Sequence, residues 1–148
     1  MDNAVRWLRI SYWVGAFVDA VAAAQMLYPP LFAFGMNLPA FAPGHDYRYA
    51  MGMGASLMLG WTALLLWADR EPMERRGVLP LTVAVVAALA GNEVHAVRAG
   101  FLPVGPVVAI WILQACLAAL FLGSYALASR AARGDAELRS RAQRATSP

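Results

Sequence analysis

The polarity pattern of this chain comes in blocks and does not alternate. Residues 49–68 (YAMGMGASLMLGWTALLLWA) carry no charge over 20 positions, and residues 99–129 carry none over 31. Each block is long enough for a helix to cross a hydrocarbon core of about 30 Å, at about 1.5 Å per residue. Two further blocks each enclose an acid. One runs over about 7–28 and is interrupted by Arg9 near its start and Asp19 near its middle. The other opens at Gly77-Val78-Leu79-Pro80, where proline suits a first helical turn, and continues to about Val97.

The pattern therefore predicts an all-α integral membrane protein, a four-helix bundle with helices at about 7–28, 49–68, 78–97 and 106–129. Residues 1–129 form a single four-span domain, and 130–148 form a basic tail that reads as solvated and frayed or lying on anionic headgroups. Pro29-Pro30 closes the first span, DREPMERRG (69–77) separates the second from the third, and AGFLPVGP (99–106) separates the third from the fourth. Asp19 interrupts the first apolar run, so that run reads as a retained span and not as a cleavable signal peptide.

Composition agrees: 60% of the residues are hydrophobic and 14% charged, against roughly 25% charged in an ordinary soluble domain. All twelve basic residues are arginine. Arg6, Arg9, Arg70, Arg75, Arg76, Arg130, Arg133, Arg139, Arg141 and Arg144 fall on one side of the four spans, and only Arg48 and Arg98 on the other. The positive-inside rule then places both termini and the 69–77 turn of a multi-pass membrane protein in the cytoplasm. The net charge of +3 reflects topology, and no nucleic-acid partner is implied.

The outer connection, PPLFAFGMNLPAFAPGHDYR (29–48), holds four prolines and several large apolar residues. It reads as a lid over the bundle mouth or as interfacial packing, with His45 and Asp46 as loop polar groups. Beneath it the spans carry their own polar groups. In LAGNEVHAVRAG (89–100) the third span places Asn92, Glu93 and His95 in its outer half, with Glu93 about 7 Å beyond the middle. The first span brings Asp19 to mid-membrane and Gln25 nearer the exit, and the fourth brings Gln114 one turn after Trp111.

Faces restrict how these groups combine. Asn92 and His95 share a stripe, while Glu93 lies about 100° away from Asn92. On the first span Tyr12, Gly15, Ala16, Asp19, Ala22, Ala23 and Met26 share one face. Gly52, Ser56 and Gly60 form a small-residue stripe on the second, of the kind that lets membrane helices approach closely. A charged Asp at a helix centre costs about 2.5–3.5 kcal/mol on insertion scales, so Asp19 needs a partner, water or a proton.

Two acids, an imidazole and amides in an apolar pocket suit acid–base conversion of a small lipophilic ligand, isomerisation or cyclisation for example. On this reading Asp19 and Glu93 are the proton donor and acceptor, and Asn92, His95, Gln114, Trp111, Gln25 and Tyr12 bind and orient the ligand. The rival readings are a non-enzymatic subunit or chaperone of a membrane complex, and a proton-coupled transporter working as a homodimer. A single cysteine, Cys116, rules out a disulfide framework, and two histidines fifty residues apart without a ligand spacing argue against a dedicated metal site, which would require Asp19, Glu93 and His95 to meet. No phosphate-binding glycine loop is present, and no cofactor is implied.

The segment MGMGASLMLGWTALLL with its short charged turn, and a third span ending in a histidine before AGFLP, resemble the DoxX-like small four-helix membrane proteins of bacteria. That resemblance implies association with membrane redox complexes. Asp19 followed by MLYP (26–29) and an apolar outer loop resembles the EXPERA group, the sterol-isomerase-like and sigma-two-receptor-like proteins. That one implies an acidic pocket for lipophilic, often amine-bearing, ligands.

Overall fold

A computed structural model describes residues 2–146; residues 1, 147 and 148, and the side chains of Arg139, Ala142, Arg144, Ala145 and Thr146, lie outside the described residues. The chain is all-helical in the order α1 (Asp2–Leu27), α2 (Pro29–Gly35), α3 (His45–Ala68), α4 (Val78–Arg98) and α5 (Val104–Thr146). Four of these helices, all but α2, are long and apolar enough to span a membrane.

The helices start and stop for local reasons. Pro29 and Pro30 cannot continue α1 but sit without cost in the first turn of α2. At the end of α4 Gly100 adopts φ +72°, and the amides of Gly100 and Phe101 turn back to the carbonyls of Val97 and Ala96. That pair of bonds is a Schellman closure, which needs a left-handed residue. Asn37, at φ 53°, closes α2 with the same pair of bonds, to Phe34 and Ala33.

Three boundaries differ from the sequence expectation. α1 begins at Asp2, five residues early. α3 begins at His45, so His45 and Asp46 belong to its first turn and not to a loop; the acid there suits the positive helix end. α5 does not stop at Ser129 but continues to Thr146, so the expected frayed tail is helical. The segment beyond Ser129 has five alanines and five arginines among its 19 residues, one glycine and no proline before its final residue, and so has no signal to end a helix. At about 1.5 Å per residue α5 is roughly 64 Å long, twice the thickness of the hydrocarbon core.

Packing is organised around α1, which lies against both α3 and α5, while α4 packs chiefly on α5. The buried stripe of α1 (Ala4, Leu8, Tyr12, Gly15, Ala16, Ala23) has small residues where its neighbours come closest. A Cβ on Gly15 would meet Leu65 Cδ1 at 3.0 Å and Phe121 Cζ at 3.1 Å, so the missing side chain is what lets α3 and α5 close there. The main core runs from this crossing to the arginine-rich end, with Leu8, Tyr12, Leu65, Leu79, Leu117 and Phe121 at its centre.

Polar groups lock that end. Ser11 and Ser124 hydroxyls bond across α1 and α5 at 2.8 Å. The Tyr12 hydroxyl donates to the carbonyl oxygens of Arg75 (3.1 Å) and Pro72 (3.5 Å), tying α1 to the 69–77 turn. Trp13 Nε1 donates to Asp69, which also lies 3.8 Å from the Arg9 guanidinium. Arg75 stacks on the Trp67 ring at 3.6 Å. The Trp61 indole donates to Thr82, the one bond that holds α4 to α3.

Gly15→Leu is expected to destabilise the fold by about 1–3 kcal/mol through overpacking at the α1–α3–α5 crossing. Gly60→Leu, where a Cβ meets nothing within 4 Å, should leave stability unchanged or slightly raised. Thermal unfolding of both variants in the same detergent separates the two positions.

Candidate functional site

Past the Gly15 crossing α1 stays against α3, with Met26 packed on Gly54, and the polar residues of the capped end lie between α4 and α5. Gln114 Nε2 donates to Glu93 Oε1 at 2.9 Å, joining the two helices. The Trp111 indole, one turn from Gln114 on α5, faces the same carboxyl but does not reach hydrogen-bond geometry. Three atoms of this group are closed to solvent and unpartnered: Glu93 Oε2, Gln114 Oε1 and Trp111 Nε1. An unsatisfied buried polar group costs about 1–3 kcal/mol, so three at one place call for an explanation.

Beside this group lies a groove of about 410 Å³. Its walls are Val83, Val86, Val94 and small residues of α4, and Ala115, Ala118, Trp111 and Gln114 of α5. Trp111 and Gln114 are the residues with polar side chains in its wall, and Trp111 Nε1 and Gln114 Oε1 themselves are closed to solvent. A larger hollow, about 570 Å³, follows the outer face of α1 past Asp2, Arg6, Arg9 and Trp13. Every residue lining it comes from that one helix, so it has no opposing wall, and it lies at the opposite end from the acids.

The 29–44 segment covers the end of the groove. Phe32 and Leu38 pack with Met36, Leu102, Val107, Ile110 and Trp111 in a second apolar cluster. Phe41 is the hub of an aromatic group, with ring centroids 5.5 Å from Phe32, 5.2 Å from Tyr47 and 6.3 Å from Phe101. The segment thus bridges the α1–α3 side of the molecule to the α4–α5 turn. Through Trp111 it touches the residue that faces Glu93.

Asp19 occupies the buried stripe of α1, and its Oδ2 is closed to solvent without a partner. Gly15 meets Phe121, so in antiparallel register Gln114 is level with Ala22. That is about 4.5 Å further toward the capped end than Asp19. Asp19 and Glu93 therefore share a depth to within one turn but flank α5 from different sides.

Other expected site residues lie apart. Asn92 and His95 are exposed, about 100° and 160° round α4 from Glu93. Gln25 is half-buried further out on α1 and makes no bond to the Glu93 group. Tyr12 belongs to the opposite end, its hydroxyl engaged by the 69–77 turn, so the structure removes it from the site. Among the described residues no three His, Cys, Asp or Glu side chains converge as a metal centre would need; Asp19, Glu93 and His95 do not meet.

Sequence reasoning reached Glu93, Gln114, Trp111 and Asp19 but not the aromatic hub at Phe41. Four prolines and the phenylalanines of 29–48 signalled a folded cover, though not which rings would touch. Compared with protein-family models, curated proteins and solved structures, the chain matches none.

Gln114→Leu is expected to cost about 1–3 kcal/mol, because the buried Glu93 carboxyl loses its donor. Asn92→Ala and His95→Ala should change stability by less than about 0.5 kcal/mol, as exposed positions do. Melting curves of the three variants in one detergent test this division of α4 into a working face and an outer face.

Proposed function

We propose that the protein binds, and by acid–base chemistry converts, a small lipophilic molecule held beside Glu93. The observation that carries this reading is the surplus of hydrogen-bonding capacity around the Glu93–Gln114 pair. Had the pair served only to join α4 to α5, one donor and one acceptor would have been enough, and the remaining atoms would face lipid or pair with each other. Instead Glu93 Oε2, Gln114 Oε1 and Trp111 Nε1 are shielded from solvent and unused, next to an apolar groove and beneath an aromatic cover. Small-molecule sites share that construction: apolar walls with a few convergent polar groups.

In this reading Glu93 is the group that gives or takes a proton, Gln114 fixes its orientation, and Trp111 supplies a donor to the ligand. Asp19 is a second acid at nearly the same depth on the other side of α5. The cover over the groove keeps water from competing for these groups, which strengthens each interaction in the site. The arginine distribution places the termini in the cytoplasm, so the site opens in the outer half of a bacterial inner membrane. It needs no cofactor, and its companions are membrane lipid and the ligand.

Native mass spectrometry of protein extracted gently from its own membranes tests the reading. The expected outcome is a bound small molecule on the unaltered protein that Glu93→Gln loses, with the melting temperature within a few degrees. Asp19→Asn, which keeps shape but not acidity, is expected to retain the ligand and abolish its conversion. If occupancy is the same in the unaltered protein and both variants, the acids are interhelical glue and the reading fails.

A further inference from the structure

One face of α4 turns away from the rest of the chain and still carries polar groups. Every exposed residue from Leu81 to Arg98 falls within an arc of about 140°, at about 100° per residue. Ala84, Ala88, Gly91 and His95 run down the middle of that arc, and Asn92 stands at its side. Among the described residues neither the Asn92 nor the His95 side chain finds a hydrogen-bond partner.

Depth makes this costly. The middle of α4 is Ala88, so Asn92 lies about 6 Å and His95 about 10 Å from the centre of a hydrocarbon core whose edge is about 15 Å away. Lipid tails offer no hydrogen bond, and an Asn side chain is too short to reach head groups about 9 Å further out, as a Lys or Arg would. Lipid alone leaves both groups unsatisfied, and a protein surface with polar groups at the same depth covers them.

A second copy of the chain meets that condition by its own topology. Copies inserted the same way round hold Asn92 and His95 at identical depths. An amide and a neutral imidazole each carry a donor and an acceptor, so each can pair with its counterpart across a two-fold axis. A different protein would have to bring a matching polar pair of its own to that depth. Ala84, Ala88 and Gly91 let two backbones come close enough for short side chains to meet, and a Cβ added at Gly91 touches nothing within the single chain.

We infer that the protein forms a parallel two-fold dimer in the membrane, with α4 of one copy against α4 of the other and the Asn92 and His95 side chains hydrogen-bonded across the axis. The inference is independent of the proposed function, because this face points away from the Glu93–Gln114 bond.

The test uses the full-length protein with donor or acceptor dyes on a C-terminal tag, in phosphatidylethanolamine–phosphatidylglycerol liposomes, with energy transfer followed as the protein-to-lipid ratio falls. The unaltered chain is expected to dimerise. Asn92→Ala combined with His95→Ala should weaken association at least tenfold, as should Gly91→Leu, while Asn92→Gln, which keeps the amide, should retain most of it. Gly60→Leu, the same change at an exposed glycine of α3, should leave association within twofold of the unaltered chain. In a Cys116→Ser background Ala88→Cys should cross-link to a dimer on oxidation, since a disulfide needs Cα atoms within about 7 Å. Leu57→Cys, exposed on α3, should not. Unchanged melting of each variant in dilute detergent, where the chain is monomeric, separates loss of the dimer from loss of the fold; if Gly91→Leu does not fold, the Asn92 and His95 pair decides. A chain that stays monomeric at every ratio overturns the inference, as does a dimer that survives the α4 changes or breaks with Gly60→Leu. A monomeric chain whose Ala88→Cys captures a different protein in its native membranes overturns it too.

Discussion

The close approach of α1 to α3 and α5 rests on small side chains in one stripe, Gly15 and Ala16 above all, and the placement of the other helices follows from it. Leu65 and Phe121 fill the space a Gly15 side chain would take, and α4 joins this core at its first turns, through Val78, Leu79 and Val83. Lipid tails are as apolar as leucine, so a membrane helix gains little from burying leucines and much from close backbone contact. α4 has valines along the groove where α1 has small residues, and it is held by α5, by the Trp61–Thr82 bond and by the Leu79 contact at the arginine-rich end. A helix fastened at one end and along one edge leaves a groove on the other, and the Glu93 group sits beside it.

The two ends of the molecule handle polar groups differently. At the arginine-rich end several polar side chains pair across helices, Ser11 with Ser124, Tyr12 with the 69–77 carbonyls, Trp13 with Asp69 and Trp61 with Thr82, while Asp69 Oδ1 and Ser129 Oγ are buried without a hydrogen bond. These bonds span the most helices and define the rigid part of the bundle. Toward the capped end the balance reverses, and Asp19, Glu93, Gln114 and Trp111 each keep an unused atom. Satisfied groups cost the fold nothing, whereas unsatisfied ones within a bilayer raise its energy until something binds them. The unpartnered atoms are therefore concentrated at the capped end, four of the six among the described residues.

Much of this was legible in the residues. Uninterrupted apolar blocks fixed the four spans, because their length against bilayer thickness leaves little choice. Glu93 and Gln114 were readable as candidates because polar residues in such blocks are costly. The 100° rule correctly separated Glu93 from Asn92 and His95, but which of the two faces turned inward depended on α4 packing against α5, and no local pattern encodes that. Tyr12 was misplaced for a related reason. It shares the face of Asp19, yet lies about 10 Å nearer the arginine-rich end, where the backbone carbonyls of the 69–77 turn claim its hydroxyl. The helical tail was hidden because charge suggested solvation, while the absence of any stop signal, which decided the outcome, is easy to overlook.

The geometry also divides the two acids. Asp19 lies on α1, and Glu93 reaches α5 from α4; the wall of the α4–α5 groove contains Gln114 and Trp111 but neither acid. On the proposed reading the carboxyl nearer the ligand is that of Glu93, joined to the groove wall through its bond to Gln114. A reaction that needs two acids on one substrate requires α4 to draw in toward α1, or a short water chain past Leu117, to bring Asp19 into play. Movement of α4 is the easier of these, because its outer half is restrained mainly by the Glu93–Gln114 bond and by the apolar cover. Binding at that bond is thus the event best placed to release α4, and Asp19, unpartnered on the other side of α5, is the group its movement would bring within reach.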